Sequence, residues 1–196
     1  MRSLLPFRRE NDAHLVALAS SDAQPCVRGD RLPAPFRFAS QGRRGPSTQT
    51  LGPGPPINGN GDIMIKLVGE TEIKPKHRLS CHCGAVVLEL DLPNGIVNPR
   101  RCDCSMCRRR GAIVASVPLT AIRIVQGADS LSLYQFNTRT AKHYFCCHCG
   151  IYTHHQRRSI PGEYGYNVGC LEGVNPFELG PVPTMDGIHH PADRAK

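Results

Sequence analysis

The stretch RCDCSMCRRRG, residues 101–111, places three cysteines within six residues and follows them with three arginines. The C-x-C part puts two sulfurs on the same side of an extended segment, and the C-x-x-C part turns the third back toward them. Three thiolates can therefore bind one ion and leave one corner of a tetrahedral site open. An open corner is typical of a catalytic zinc, because a site with four thiolates has no position for water or substrate.

Two further groups of cysteines lie on either side of this stretch, in CHCG at 81–84 and CCHCG at 146–150. The Cys146-x-x-Cys149-Gly150 run is typical of a zinc knuckle, because the glycine permits the tight turn. A knuckle needs two more ligands, and Cys81 and Cys83 offer them from much earlier in the chain. We therefore predict a second, structural site that joins the beginning of the domain to its later half.

Other ligand assignments stay open on the sequence alone. His82 or His148 could replace a cysteine of the four-cysteine site. The three-cysteine site could instead be a closed structural zinc whose fourth ligand is Cys147, Cys170 or a histidine. A third reading of these cysteines is that they are redox-active or bind no metal.

Ten cysteines among 196 residues is a high content, and most lie at spacings of two or three residues. Disulfides between such close neighbours have poor geometry, so metal binding is favoured over a disulfide scaffold. Metal thiolates indicate a reducing compartment, and we predict an intracellular, cytoplasmic protein. No run of eighteen apolar residues occurs, which excludes a transmembrane helix.

The formal net charge of +8 would fit a nucleic-acid-binding protein, but half of this excess lies in the first sixty residues, which hold eight arginines and four acids. Seven thiolates with two Zn2+ would bring the rest of the chain close to neutrality. We therefore predict no nucleic-acid partner and no membrane partner. The residues give no indication of oligomeric state.

Residues 1–62 are predicted to be a disordered extension. The first sixty residues contain eight prolines and six glycines and show no sustained period of 2 or 3.6. One alternative is a transit peptide, although its four acids argue against that. Another is that translation starts at Met64, where structured sequence begins.

Residues 63–196 are predicted to form one zinc-binding domain that is mainly β, with antiparallel sheets because the loops are too short for crossovers. One short helix is expected at 105–110. The predicted strands are 63–69, 85–92, 113–117, 122–125, 131–136, 143–147, 151–154 and 164–168.

Four motifs in this order and spacing resemble the glutathione-dependent formaldehyde-activating enzyme family, which also includes centromere protein V. They are SCHCGAV at 80–86, CDCSMCRRRGA at 102–112, FCCHCG at 145–150 and YGYNVGCLEG at 164–173. The resemblance covers roughly residues 68–179. It implies an Mss4-like fold and two zinc ions per chain, a structural one on Cys81, Cys83, Cys146 and Cys149 and a second one on Cys102, Cys104 and Cys107.

The activity that the resemblance implies is addition of glutathione to formaldehyde, which gives S-hydroxymethylglutathione and is classed with the carbon–sulfur lyases. Arg108 and Arg109, ahead of Arg110, are candidates to bind the carboxylates of this thiol cosubstrate, and the alternative is a solvated turn. The sequence shows no general base apart from the zinc. The competing hypothesis is a non-catalytic zinc-binding scaffold, in which the arginines contact a partner.

The remaining candidate residues are expected to be structural. We predict that the histidine pairs at 154–155 and 189–190 lie on the surface or in strands without a ligand role. Tyr166 is expected to pack rather than to line a pocket, with Asn167 beside it. Cys170 is predicted to be a small buried hydrophobic residue.

Overall fold

The computed structural model describes Ile57 and residues 59–190, so the predicted extension at 1–62 lies almost wholly outside the described residues. Within this part the chain is mainly β, with one four-residue α-helix, α1 (Cys107–Arg110). The strands are β1 (Met64–Ile65), β2 (Leu67–Val68), β3 (Thr71–Glu72), β4 (Lys76–Ser80), β5 (Val87–Asp91), β6 (Ile96–Val97), β7 (Arg101–Cys102), β8 (Val114–Pro118), β9 (Ile122–Gln126), β10 (Leu131–Tyr134), β11 (Lys142–Cys146), β12 (Tyr152–Gln156), β13 (Glu163–Asn167) and β14 (Thr184–Met185).

A five-stranded antiparallel sheet carries the later half of the described chain, in the order β10-β11-β12-β13-β8. Each of its strands was predicted within two residues of its ends. The prediction succeeds because short runs of β-branched and aromatic residues alternate here with turn residues.

The two faces of this sheet have different roles, because residues paired in register point to the same side. One face packs into the hydrophobic core and includes Ala115, Tyr166 and Cys146. The opposite face is marked by four residues that register brings into one row across the strands: Ser116, Gly165, His155 and His143. This second face forms a wall of the cavity described below.

A three-stranded antiparallel sheet, β4-β5-β9, covers the other side of the core. Leu79, Leu88 and Leu90 of this sheet are fully buried and belong to the same core cluster as the core face of the larger sheet. Among the described residues, the two sheets therefore share one core cluster, and the domain bounds of 63–196 stay a prediction.

The pairing of β7 with β14 is parallel, which departs from the expected antiparallel arrangement. Parallel strands need a long connection, and more than eighty residues separate Cys102 from Thr184. The expectation considered only consecutive strands and therefore could not include this pair. Through it, the C-terminal part of the described chain reaches the three-cysteine stretch.

The helix α1 begins at Cys107, two residues later than the predicted start, and ends at Arg110, just before Gly111. Gly111 has a φ of 67° and donates its N–H to the Cys107 carbonyl, a left-handed helix end that favours glycine. Within residues 59–190 the structure contains no helix with the length and hydrophobicity needed to span a bilayer.

Candidate functional site

Four cysteines converge where the two sheets meet. The sulfurs of the four residues all lie within 4.8 Å of one another: Cys81, Cys83, Cys146 and Cys149. These are the four that the sequence interpretation placed in one site, two from the smaller sheet's end and two from the end of β11. The group therefore joins the two sheets.

Two similar turns position these sulfurs. After β4, the Gly84 N–H donates to the Cys81 carbonyl at 3.0 Å, and after β11 the Gly150 N–H donates to the Cys146 carbonyl at 2.8 Å. Both glycines have positive φ, 75° and 73°, which side-chain-bearing residues rarely adopt. The Val86 N–H also donates to the Cys81 sulfur at 3.2 Å, which orients that thiol.

The donor set fits a tetrahedral ion. The sulfur–sulfur distances are 3.6 Å from Cys81 to Cys83 and 3.7 Å from Cys83 to Cys146. Zinc–sulfur bonds of about 2.3 Å at tetrahedral angles would place the sulfurs about 3.8 Å apart. Burial raises the pKa of the Cys83 and Cys146 thiols, so thiolates at these positions need a cation beside them.

Three cysteines form the second group, which is less buried than the first. The sulfurs of Cys102, Cys104 and Cys107 lie within 4.8 Å of one another, and the Cys107 N–H donates to the Cys104 sulfur at 3.4 Å. A side-chain hydrogen bond between Cys102 and Cys107 lowers the pKa of Cys102 to about 5 and raises the pKa of Cys107. The group can therefore carry negative charge at neutral pH and could hold a metal ion.

Among the residues that the structure describes, no fourth cysteine, histidine or carboxylate belongs to this second group. Cys170, one of the residues proposed to close it, is buried, and its thiol donates to the Tyr152 carbonyl at 3.5 Å. Burial raises the pKa of Cys170 to about 12, which is consistent with the small hydrophobic residue expected there. Cys147 belongs to neither group.

A C-terminal segment, residues 183–190, lies across the three-cysteine loop, and we call it the strap. The Asp103 carboxylate accepts hydrogen bonds from the N–H groups of Gly187 at 2.7 Å and Ile188 at 3.2 Å. A hydrogen bond of 2.7 Å also joins His190 to Ser159 on the larger sheet's side. The sequence interpretation gave the strap no role beyond noting its histidines.

A cavity of about 580 Å³ borders the three-cysteine group and the strap. It contains all three thiols but none of the four cysteines of the first group. Among the described residues its lining has a single acid, Asp186, and six arginines: Arg100, Arg101, Arg108, Arg110, Arg157 and Arg158. The cavity therefore favours an anionic ligand.

The three consecutive arginines have different surroundings. Arg108 and Arg110 line the cavity, whereas Arg109 does not and instead donates to the Ser105 carbonyl at 2.6 Å. The Arg110 guanidinium lies 3.8 Å from the centre of the Tyr152 ring, and one of its nitrogens is buried without a partner among the described residues. Contact of Arg108 and Arg109 with a cosubstrate stays a prediction, and the geometry favours Arg110 over Arg109.

Two histidines of the cavity wall were missed as candidate site residues. His143 and His155 line the cavity and face each other across β11 and β12. Burial lowers the pKa of His143 to about 4, so its ring is neutral at pH 7. His154, which points to the opposite face, is buried, and burial lowers its pKa to about 3. Only the register between β11 and β12 brings His143 and His155 together, and the residue pattern of one strand alone does not contain that register.

The comparisons with known proteins agree with this arrangement. A model of the family described as glutathione-dependent formaldehyde-activating enzyme matches residues 76–185, which contain both cysteine groups. A protein of Emericella nidulans, provisionally named as such an enzyme, is 29% identical over 82 residues, and one of Penicillium rubens with the same name is 29% identical over 79 residues. These alignments cover 40% and 38% of this chain, and the chain spans only 41% of the length of each relative.

A crystal structure of a Rhodobacter sphaeroides protein is also similar, with 64% sequence identity and a TM-score of 0.54. The alignment covers 55% of this chain and 99% of that chain. The family model covers more than half of the chain and spans both cysteine groups and the helix α1 that carries the three consecutive arginines. The chain belongs to the glutathione-dependent formaldehyde-activating enzyme family.

Proposed function

We propose that the chain is a carbon–sulfur lyase-type enzyme that adds a glutathione-like thiol to formaldehyde and gives S-hydroxymethylglutathione. A bond forms between the thiol sulfur and the carbonyl carbon, and the proton lost from sulfur is balanced by one gained at oxygen. The observation that carries the proposal is the three-cysteine group in the wall of a cavity rich in arginine. The family and the names of its relatives support the choice of thiol and aldehyde.

Two Zn2+ per chain are part of the proposal. A structural ion would be held by Cys81, Cys83, Cys146 and Cys149, since this set is complete and its spacing fits. The second would be held by Cys102, Cys104 and Cys107. Zinc with three thiolate ligands supplies a Lewis acid that lowers the pKa of an incoming thiol.

The arginines of the cavity would bind and orient the carboxylates of the thiol, because a guanidinium matches a carboxylate with two hydrogen bonds. Arg110 is the best placed, since one of its nitrogens has no partner within the described residues. Arg157 is already paired with Glu163, and Arg100 donates to Ser116 at 2.6 Å. The cavity volume lies within the range usual for small-molecule sites.

Holding the thiol and the aldehyde close together would supply much of the rate enhancement, because their addition also proceeds in water and needs mainly correct orientation of the two reactants. In this proposal residues 63–196 are the catalytic domain and residues 1–62 are an extension that takes no part in the chemistry. The reducing intracellular compartment expected for thiolate sites also supplies glutathione-type thiols.

Exchange spectroscopy by NMR on the full chain tests the proposal, because it follows conversion of glutathione and formaldehyde at equilibrium. We expect saturable exchange above the uncatalysed rate, which is lost in a folded Cys104→Ser variant. Cys170→Ala is the matched control, because this cysteine is buried outside both groups. Equal exchange in the wild type and Cys104→Ser, with metal bound in the wild type, would support the non-catalytic scaffold instead.

A further inference from the structure

A column of stacked rings runs along the cavity side of the larger sheet. Ring centres are 5.8 Å apart from Tyr134 to Phe136, 5.7 Å from Phe136 to His143 and 5.3 Å from His143 to His155. The Tyr152 ring follows, tilted, with its centre 5.9 Å from that of His155. The column fixes the plane of the His155 ring beside the cavity.

Gly165 allows the His155 ring to take this position. The two residues are register partners on β12 and β13, and a Cβ at position 165 would come within 2.3 Å of Cε1 and 2.9 Å of Nδ1 of His155. No side chain fits at such distances. The glycine is therefore required for close approach of the imidazole rather than for an unusual φ.

Tyr152 fixes which ring nitrogen of His155 carries the proton. The Tyr152 hydroxyl lies 2.5 Å from Nδ1, and its other acceptor, the Gly165 carbonyl, is more distant at 3.4 Å. Burial raises the pKa of Tyr152, so the hydroxyl keeps its proton and donates it to Nδ1. The remaining nitrogen, Nε2, then carries an N–H and has no hydrogen-bond partner within the described part of the chain, while His155 lines the cavity.

The surroundings of His155 keep the ring neutral. Burial is the main cause that lowers its pKa well below the ordinary value, and repulsion by His143 in its protonated form and by Arg110, Arg100 and Arg157 lowers it further. The three arginines come from α1, the segment before β7 and the residue after β12, so positive charge faces the ring from each of these places, while His143 on β11 is neutral at pH 7. A neutral imidazole in such a field is a hydrogen-bond donor at neutral pH rather than a cation.

We propose that the Nε2–H of His155 donates a hydrogen bond to the aldehyde oxygen while the thiol adds to the carbonyl carbon. The inference rests on the proposed function and names a group that acts in it. As the carbon–sulfur bond forms, the carbonyl electron pair moves onto oxygen, where a neutral imidazole N–H stabilises the developing charge. Water takes the proton from the thiol and returns one to the oxygen, so His155 itself ends unchanged.

The test compares three variants of the full, zinc-loaded chain in the exchange assay. His155→Leu should lower kcat by about 100- to 1000-fold and leave the thiol KM within about twofold, because only the transition state loses a hydrogen bond. His155→Gln, which retains an N–H at similar reach, should recover most of that loss. His154→Gln is the matched control, since this neighbour points to the opposite face, and it should keep the wild-type kcat.

A second readout does not depend on turnover. Nitrogen-15 NMR should show His155 with Nε2 protonated and Nδ1 unprotonated, without titration from about pH 8 to pH 5. If His155→Leu does not fold, Tyr152→Phe removes only the hydroxyl and should lower kcat about tenfold and change the tautomer.

The outcomes separate the two proposals. A wild-type chain with no exchange above the uncatalysed rate would refute the proposed function and this inference with it. A wild-type chain that is active, with full kcat in His155→Leu or with equal losses in the Leu and Gln variants, would refute the inference alone. A protonated Nδ1 on His155 would also refute it.

Discussion

Gly187 of the strap lies against Cys102 so closely that a Cβ at position 187 would be 2.4 Å from the Cys102 sulfur. The same Cβ would be 2.8 Å from the Cβ of Cys104. The strap therefore takes its position only because residue 187 has no side chain. This contact links the geometry of the three-cysteine group to a segment more than eighty residues away in the chain.

Gly187→Ala is accordingly expected to displace the strap and to loosen the three-cysteine group. We expect the variant to lose zinc at this group, and iodoacetamide to modify Cys102 faster than in the wild type. Elemental analysis and mass spectrometry of the alkylated protein measure the two effects. Gly162→Ala is the control, because a Cβ there would contact nothing within 4 Å. Equal zinc content and labelling in both variants would show that the strap does not support the group.

The two cysteine groups should differ in their effect on stability. Cys81→Ser or Cys149→Ser should unfold the domain, because that group joins the two sheets and a structural zinc contributes about 10 kcal/mol in zinc-peptide systems. Cys107→Ser should leave the domain folded, with one zinc ion instead of two. Circular dichroism together with elemental analysis checks this prediction. Similar loss of structure in both classes of variant would contradict the division into structural and functional sites.

Arg110 and Arg109 form a matched pair of neighbours with different surroundings. Arg110→Ala should raise the KM for glutathione by about 10- to 100-fold, since a charge-assisted carboxylate contact is lost. Arg109→Ala should change it by less than about twofold, because the Arg109 side chain is exposed and lies outside the cavity lining. Steady-state exchange rates over a range of glutathione concentrations measure both. A larger rise in KM for Arg109→Ala than for Arg110→Ala would contradict this prediction and support the expectation from the sequence that Arg109 binds the thiol ahead of Arg110.

Stability should fall as the pH decreases below about 6.5. His154 is buried and neutral, with its folded-state pKa lowered to about 3, so the unfolded chain binds a proton in this range while the folded chain does not. This linkage should cost about 1 kcal/mol between pH 7 and pH 5.5. Urea unfolding with excess zinc at both pH values measures the loss, which should be smaller in His154→Gln. If the free energy of unfolding fell by the same amount between pH 7 and pH 5.5 in His154→Gln and in the wild type, His154 would not be the cause of the loss.

The sequence was sufficient to predict the cysteine groups and most strands, because both depend on local spacing. C-x-C and C-x-x-C spacings specify which sulfurs can meet, and the glycines at 84 and 150 occupy the tight turns that these spacings need. The strands of the larger sheet follow from short runs of β-forming residues. The family resemblance joined these local patterns into the correct family and a mainly β fold.

The features that were missed depend on contacts between distant segments. His143 and His155 come together through the register of β11 and β12, which a bulge between Tyr144 and Phe145 modifies. The parallel pair β7–β14 joins residues from opposite ends of the described domain. Which of the consecutive arginines lines the cavity depends on the short helix α1, which turns Arg110 toward Tyr152 and Arg109 away from the cavity.

The strap also determines the order in which the two sites can be completed during protein synthesis. The ribosome adds Cys149, the last ligand of the four-cysteine group, before it adds the strap, and about 40 residues separate Cys149 from Gly187. At about 5–20 residues per second, this interval lasts roughly 2–8 s. The group that joins the sheets can therefore bind its ion while the cavity still lacks one wall. The three thiols of the second group obtain their final enclosure only on an already assembled domain.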